Sequence, residues 1–236
     1  MDMGQDKASR ILDAAESLLV GFGYRKVTVD EVARRAGVGK GTVYLYWPSK
    51  QELFAAVLTR EAADLVIEHL AALRADPAEV RLHRSMRRSY LNVMRRPLAR
   101  ALYTGDHQLL GELASTSKIG VRFAAGKVEN TVRYLDVLHD HGLLADDPAA
   151  DPALPYRLSA AVVGAFHLEG TPAVGELDLA DKADALATTL RRAFEPATEP
   201  APAALEAAAA ELADLYEEWW GELTEILPDG STGASG

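Results

Sequence analysis

The sequence of 236 residues contains no cysteine. Disulfides, thiolate nucleophiles and cysteine metal sites are therefore excluded. Long apolar runs are also missing, since the longest interior one, near residues 160–166, falls far short of the roughly 18 residues typical of a membrane span. The stretch MDMGQDKASR at the start has no apolar segment like that of a signal peptide. We therefore expect a cytoplasmic protein without a membrane partner.

Enzyme signatures are absent as well. The sequence has neither a Gly-rich phosphate loop nor a serine-nucleophile motif. His139-Asp140-His141 is a candidate for metal binding, but a His-x-His pair on a helix places its two imidazoles on different faces. No set of carboxylates at ligand spacing accompanies the pair. We therefore predict a protein that is not an enzyme, with no catalytic residue, no metal and no cofactor.

Positive charge is missing from the last part of the chain. Beyond Phe194 there are ten acidic residues and no Lys or Arg, whereas residues 1–194 hold 25 acids and 25 bases. Within that neutral part, residues 24–50 carry six bases and only two acids. The net charge of −10 thus combines a small basic segment with an acidic C-terminal segment. This asymmetry is more informative than the total, because local charge decides which partners a surface attracts.

Helical periodicity dominates what is present, and we find no convincing alternating strand pattern, so we predict an all-α fold. A first amphipathic helix covers about residues 6–20, with Phe22 continuing its apolar stripe. A second begins at Thr28, which has capping-box spacing to Glu31, and ends at Gly37. A short third helix spans residues 40–47 before Pro48 breaks it, and a long fourth helix follows.

Two short helices joined by a Gly-containing turn, after an apolar helix, form a helix-turn-helix pattern. At 100° per residue, Val43 and Trp47 share the inward face of the third helix. The outward directions hold small or hydrogen-bonding side chains: Gly41 and Leu45 in the centre, Lys40 and Tyr44 on one flank, and Thr42 and Tyr46 on the other. Such a surface suits a major groove about 12 Å wide.

Each outward side chain has a predicted contact with DNA. Leu45 faces a thymine methyl, Lys40 a guanine edge or a phosphate, and the hydroxyl groups face the phosphates that set register. Thr28 adds a helix N-terminus for phosphate, and Lys50 adds a cation. The predicted DNA-binding residues are Thr28, Lys40, Gly41, Thr42, Tyr44, Leu45, Tyr46 and Lys50. The alternative is that a given aromatic residue belongs only to the core, and that Arg34 and Arg35 merely solvate the second helix.

The stretch from Arg10 to Leu58 resembles the DNA-binding domain of the tetracycline-repressor (TetR) family. The residues that carry the resemblance are ILDAAESLLVGFGYRKVTVDEVARRAGVGKGTVYLYWPSKQELF. They present in order the family's Gly-Tyr, Thr-x-x-x-Val-Ala, Ala-Gly-Val, Thr-x-Tyr and Lys-x-x-Leu pattern. Trp47 stands where the family usually has Phe, and it keeps the apolar role. The family's DNA contacts, carried onto matching positions, fall on the same residues except Leu45.

The resemblance implies a helix-turn-helix DNA-binding domain at 1–48 and a helical effector-binding and dimerisation domain at 49–195. Charge and periodicity add an acidic extension beyond the usual family core, at 196–236, with one amphipathic helix and a disordered end. The resemblance also implies a homodimer formed by helices near residues 156–169 and 177–194. For that interface we predict Leu158, Ala161, Val162, Ala165, Leu186 and Leu190. An unknown apolar or aromatic effector is expected against Met86, Tyr90, Met94, Tyr103, His107, Phe123 and Phe166. An ordinary intramolecular core is the alternative for both sets.

The resulting hypothesis is a ligand-responsive regulator, a repressor that binds a pseudo-palindromic operator in double-stranded DNA and is released by its effector. An all-helical binding or adaptor protein without sequence-specific DNA binding is the alternative. Two charged segments stay open at this point. The arginines between Arg81 and Arg100 form either a solvated face, a seat for the acidic helix or an anion site. The acidic extension itself either packs on the protein or competes with DNA for the basic segment.

Overall fold

The computed structural model describes residues 3–111, 113, 130–169 and 177–228. Regular secondary structure in these ranges is entirely helical, which confirms the predicted all-α class. Among the same residues no helix combines the length and the apolar character needed to cross a membrane. The predicted disordered end at 229–236 lies outside the described residues.

The helices follow one another with short connections. The first four are α1 (Met3–Phe22), α2 (Val29–Ala36), α3 (Lys40–Tyr46) and α4 (Lys50–Ala75). A 3₁₀ turn at Pro77–Val80 leads to α5 (Leu82–Arg95), α6 (Pro97–Thr104) and α7 (His107–Leu110). Residues 130–140 are helical and are called α8. The last three are α9 (Leu154–His167), α10 (Leu179–Phe194) and α11 (Pro202–Glu225).

The chain forms two compact units. The first contains the described residues of 1–64, 97–126 and 220–236, and the second those of 65–96 and 127–219. Both α4 and α11 are therefore continuous helices whose residues are divided between the units. The predicted three-part division at residues 48 and 195 stays a prediction.

The first unit is built around one apolar cluster, which we call the N-terminal core. It collects the inward faces of α1 to α4, with Ile11, Val32, Val43, Trp47 and Phe54 among its members. Phe22, predicted to continue the stripe of α1, is instead 61% exposed. The reason is that Gly23, the next residue, turns the chain at φ 78°. The ring of Tyr24 then packs edge-on against Phe54, with 5.5 Å between the ring centroids.

Local capping fixes the start and end of α2 as the sequence predicts. The backbone N–H of Thr28 donates to Glu31 Oε2 at 2.8 Å, and the N–H of Glu31 donates to Thr28 Oγ1 at 3.3 Å. This capping box satisfies backbone donors that the first helical turn leaves free. Gly37 ends the helix in the left-handed region, at φ 68°. The turn between α2 and α3 is thus determined by residues that the sequence already identifies.

In the second unit α5 packs along α10, and the arginines of α5 meet carboxylates of that same unit. Arg84 and Arg88 bind Glu79, whose side chain is 8% exposed, and Arg87 binds Asp184. The acidic helix α11 finds other partners: Glu217 binds Arg74, Glu218 binds Arg133 and Glu211 binds His141. The α5 arginines therefore do not seat α11 in the described residues.

The most buried of these carboxylates is that of Glu195, at the end of α10, with a side chain only 2% exposed. It accepts hydrogen bonds from Arg81 Nη2 at 2.9 Å, from His83 Nδ1 at 2.7 Å and from the His83 backbone N–H at 2.8 Å. Burial opposes its ionisation, but the bonds from His83 and the charge of Arg81 outweigh burial and hold the pKa of Glu195 below its ordinary value. This carboxylate therefore joins the start of α5 to the end of α10.

We predict that Glu195→Ala lowers the free energy of unfolding by about 3–5 kcal/mol, because it leaves Arg81, whose side chain is 12% exposed, with only its surface partner Glu199. Glu199→Gln is the matched control, since Glu199 contacts the same arginine from the surface and is expected to contribute less than about 1 kcal/mol. Urea denaturation measures both variants. Because the folded-state pKa is depressed, the advantage of wild type over Glu195→Gln should be full near neutral pH and shrink below roughly pH 4.

Candidate nucleic-acid interface

Helix α3 has a buried side and an exposed side. Val43 and Trp47 are 1% and 4% exposed, so they anchor the helix in the N-terminal core. On the opposite side Leu45 is 85% exposed, and Gly41 is exposed with no atom within 4 Å of an added Cβ. The helix faces are therefore those predicted from the sequence, while the contacts of these residues with DNA stay predictions.

The flanks of α3 carry the hydrogen-bonding groups. Tyr44 is 41% exposed, and Thr42 and Tyr46 are half-buried. The ring of Tyr46 lies 5.5 Å from that of Trp47, which ties the aromatic side chain to the anchored end of the helix. None of the three is sealed inside the protein, so the hydroxyl groups sit beside the exposed centre formed by Gly41 and Leu45.

The two predicted lysine contacts both have protein partners in this structure. Lys40 Nζ lies 2.7 Å from Asp30 Oδ2, and that hydrogen bond raises the pKa of the exposed lysine. Lys50 Nζ donates to the carbonyl oxygen of Tyr24 at 2.5 Å and lies 4.3 Å from the centre of its ring. Partial burial lowers the pKa of Lys50. Lys50 therefore points to the turn after α1 and is held more closely than a free surface lysine.

Arg25 and Lys26 are cations that the list of predicted contacts omits. Both are exposed, and neither has an ion-pair partner in the described part of the chain. They lie three and two residues before Thr28, the N-cap of α2. The excess of positive charge in residues 24–50 could have identified them. The sequence does not show, however, which of these cations form ion pairs within the protein.

The predicted dimer residues divide into two groups. Leu158, Leu186 and Leu190 are buried within the protomer, at 6%, 6% and 0% exposure, and their place in an interface between two chains stays a prediction. Ala161, Val162 and Ala165 are half-buried. The exposed stripe of α9 lies elsewhere, with Tyr156 at 77% and Val163 at 48% exposure. Leu186 and Leu190 lie on the buried side of α10, the helix that packs along α5.

The predicted effector residues are brought together only in part. The rings of Tyr90 and Phe166 lie 5.1 Å apart, and the Tyr90 hydroxyl donates to Glu169. Met86 and Met94 are half-buried on the same helix as Tyr90. Tyr103 belongs to the first unit and is half-buried there. Phe123 and the side chain of His107 lie outside the described residues.

Two openings in the second unit differ from that predicted set. A cavity of about 10 Å³, lined by residues such as His69, Glu79 and Tyr216, has room for about one water molecule. A groove of about 300 Å³ between α8 and α11 is lined mainly by carboxylates, with Arg133.

The two histidines of the His-x-His pair take different partners: His141 Nε2 lies 2.9 Å from Glu211, and His139 Nε2 lies 3.8 Å from Asp147.

Comparison with known proteins gives the same assignment for the N-terminal segment. The family model described as bacterial regulatory proteins, tetR family, matches residues 11–57. The uncharacterised HTH-type transcriptional regulator Rv2250c of Mycobacterium tuberculosis is 44% identical over 71 residues, which are 29% of this chain and 38% of that protein. The HTH-type transcriptional activator FasR of Mycolicibacterium smegmatis is 41% identical over 69 residues, 29% of this chain and 32% of FasR.

A solved structure extends the likeness beyond the matched sequence. A tetR-family transcriptional regulator from Streptomyces coelicolor superposes with a TM-score of 0.58 at 20% identity, covering 97% of this chain and 92% of that one. At this identity the likeness shows the fold alone. The sequence matches to the curated relatives span only about a third of their length.

The capped α2, the glycine turn and the anchored α3 define a helix-turn-helix protein. Residues 11–57, which contain this helix-turn-helix, match the model of the tetR family of bacterial regulatory proteins.

We predict that Arg25 and Lys26 contact phosphates. Replacing both by Ser should weaken binding to any duplex and reduce the slope of log K against log salt concentration by about two, because each phosphate contact contributes about 0.9. Arg95→Ser with Arg192→Ser is the control, since it removes the same charge from exposed positions of the second unit. Fluorescence anisotropy at several salt concentrations gives the slopes, and equal slopes for both variants would contradict the prediction.

Proposed function

We propose that this protein is a DNA-binding transcription regulator that binds a pseudo-palindromic operator as a homodimer and is released by a small-molecule effector. The observation that carries the proposal is the exposed surface of α3, where Gly41 and Leu45 face outward above the buried Val43 and Trp47. Leu45 is 85% exposed at the centre of a short, anchored helix, so its apolar side chain does not stabilise the fold. In a major groove it gains contact with base edges.

The dimensions and chemistry of α3 support insertion into the groove. Seven residues give a helix about 10 Å long, which is short enough to enter without the flanking elements colliding with the backbone. Gly41 permits close approach, and Leu45 meets thymine methyl groups. Tyr44 and Thr42 donate to the phosphates on either side and set the register.

The ion pair between Lys40 and Asp30 does not oppose this proposal. Both side chains are at least half exposed, at 50% and 61%, and an exposed pair contributes little to stability. A DNA phosphate or guanine edge can therefore replace the carboxylate at small cost. Before DNA is bound, Asp30 holds the lysine at the edge of α3, which limits its conformational freedom.

A second copy of the chain is proposed to cover the exposed stripe of α9. Tyr156, Ala160 and Val163 are spaced four and three residues apart, so they lie on one face of that helix. Ala185 and Thr189 are exposed on the neighbouring α10. These small and apolar residues suit close packing of helices from two protomers. A two-fold dimer presents its two α3 helices about 34 Å apart, to the two halves of an operator.

The effector is proposed to bind beside Tyr90 and Phe166, with Met86 and Met94 as adaptable apolar neighbours. Burial, followed by the hydrogen bond to Glu169, raises the pKa of Tyr90, so its hydroxyl stays protonated as a donor. Lys182 Nζ lies 3.1 Å from the same carboxylate. An apolar or aromatic molecule with a polar end fits these groups. It acts only if it prefers the conformation that does not fit DNA.

The test of DNA binding is Gly41→Ala. A Cβ at Gly41 meets no atom within 4 Å, and alanine in a helix is favoured over glycine by about 1 kcal/mol, so the free protein should be slightly more stable. The same methyl group intrudes between backbone and DNA, so operator affinity should fall at least about tenfold, about 1.4 kcal/mol. Thermal unfolding and a mobility-shift assay measure the two effects.

Gly21→Ala is the matched control, because its Cβ also meets nothing and it lies on α1, outside the proposed contacts with DNA and with the second copy. The probe is the DNA upstream of the protein's own gene, with scrambled DNA beside it. Equal shifts of both probes by wild type would favour the adaptor alternative. A reporter fused to that DNA then separates repression from activation, which the name of the relative FasR makes a real alternative.

Val163→Glu tests the dimer. A buried carboxylate without a partner opposes association, so we predict a monomer at concentrations where wild type has twice the mass. Val132→Glu is the control, since Val132 is 47% exposed on α8 and Val163 is 48% exposed on α9. Light scattering coupled to size exclusion gives the masses. A dimeric Val163→Glu variant would place the interface elsewhere.

A further inference from the structure

The C-terminal extension contributes a residue to the N-terminal core. Leu227, only 6% exposed, belongs to the same apolar cluster as the inward faces of α1 to α4 and Leu98 of α6. Val43 and Trp47, which anchor α3, are members of this cluster too. A leucine some 180 residues after α3 in the sequence therefore belongs to the same core in which α3 is anchored.

The chain holds Leu227 in a defined position. Helix α11 ends at Glu225, and the N–H of Leu227 donates to the carbonyl oxygen of Thr224 at 3.1 Å. The hydroxyl of Thr224 in turn donates to the carbonyl oxygen of Gly221 at 3.0 Å. Leu223, one helical turn earlier, is 4% exposed, and Pro228 follows directly. This turn at the end of α11 directs one leucine inward and stops the helix.

Electrostatic competition with DNA is a different role for the extension, and its carboxylates argue against it. Glu211, Glu217 and Glu218 each have a basic partner in the second unit: His141, Arg74 and Arg133. Carboxylates that are already paired are weak competitors for a basic DNA-binding surface. What the extension supplies to the first unit is apolar, through Leu227.

We propose that Leu227 is a positioning residue for DNA binding, and that operator affinity depends on the segment 221–228 at the end of α11. This inference rests on the proposed function. A recognition helix of seven residues has too few internal hydrogen bonds to be stable alone, so the core beneath it decides how rigidly it is presented. Rigid presentation lowers the entropy lost when the helix enters the groove.

The extension thereby becomes a point of control. Any event that withdraws Leu227, such as proteolytic removal of the segment, opens a cavity in the N-terminal core and weakens binding without touching a DNA-contacting residue. The effector is not needed for such control, because the change occurs in the unit that carries the helix-turn-helix.

The test compares three substitutions in the full chain. Leu227→Ala should weaken operator binding at least tenfold and speed hydrogen exchange of the α3 amides, because it removes packing from the core in which α3 is anchored. Leu227→Met, which restores a side chain of similar volume, should bind within about threefold of wild type. Glu225→Ala is the control: it is exposed in the same turn and should not weaken binding. If Leu227→Ala does not fold, Leu227→Val serves, with an expected loss of about threefold.

Two affinity results would overturn the proposal: operator affinity of Leu227→Ala equal to that of wild type, or equal losses for Leu227→Ala and Leu227→Met. Faster exchange spread evenly over both units would also overturn it, because it would show a general loss of stability. Failure of the proposed function is distinguishable, since wild type would then bind no operator. In that case the exchange of the α3 amides still decides whether Leu227 supports this helix.

Discussion

Burial of Val43 and Trp47 is the interaction on which the rest of the structure depends. A helix of seven residues does not hold its shape in water, because nucleation costs more than so few hydrogen bonds return. Two buried side chains four residues apart fix both its position and its rotation. Every other feature of the surface follows, since Gly41 and Leu45 face outward only because Val43 and Trp47 face inward. The core that receives them also receives Leu227, which makes the support of α3 dependent on both ends of the chain.

The protein as a whole is acidic, but the segment around α2 and α3 keeps an exposed basic surface. Ion pairs within the second unit offset part of the charge of α5 and α11, as for Arg87 with Asp184 and Arg133 with Glu218. Near α3, by contrast, Arg25 and Lys26 remain exposed without an ion-pair partner among the described residues. Paired charges produce weak fields beyond the Debye length of about 8 Å, so the unpaired cations dominate the local potential. The net charge of −10 therefore does not decide how the segment around α2 and α3 meets an anionic partner.

Interactions between residues close in sequence predict the helix-turn-helix segment well. They predict poorly which side chains pack together across the fold. The capping box at Thr28 and the turn at Gly37 involve residues within a few positions of each other, so the sequence contains the whole interaction. Phe22 and Tyr24 are both aromatic residues near the end of α1. Only the contact with Phe54 decides which of the two rings packs against the core. Lys50 shows the same limit, since its partner is a backbone carbonyl 26 residues away. Periodicity identified the apolar face with Leu186 and Leu190 but not its partner, α5. No local signal indicates that Leu227 joins a core formed by residues 8–57.

Arg60 shows how movement within the first unit reaches α3. Its side chain on α4 is 7% exposed and contacts Asp13 at 2.7 Å and Glu16 at 2.8 Å, both on α1. Such a buried cation is costly to separate from its carboxylates, so α1 and this part of α4 behave as one body. Because α1 also packs against α2 in the N-terminal core, a displacement of α4 cannot leave α3 behind. On the proposed function, an effector that changes the direction of α4 would therefore move the exposed surface of α3 as a rigid element. The two α3 helices of a dimer would then no longer match the fixed spacing of the grooves in a DNA duplex.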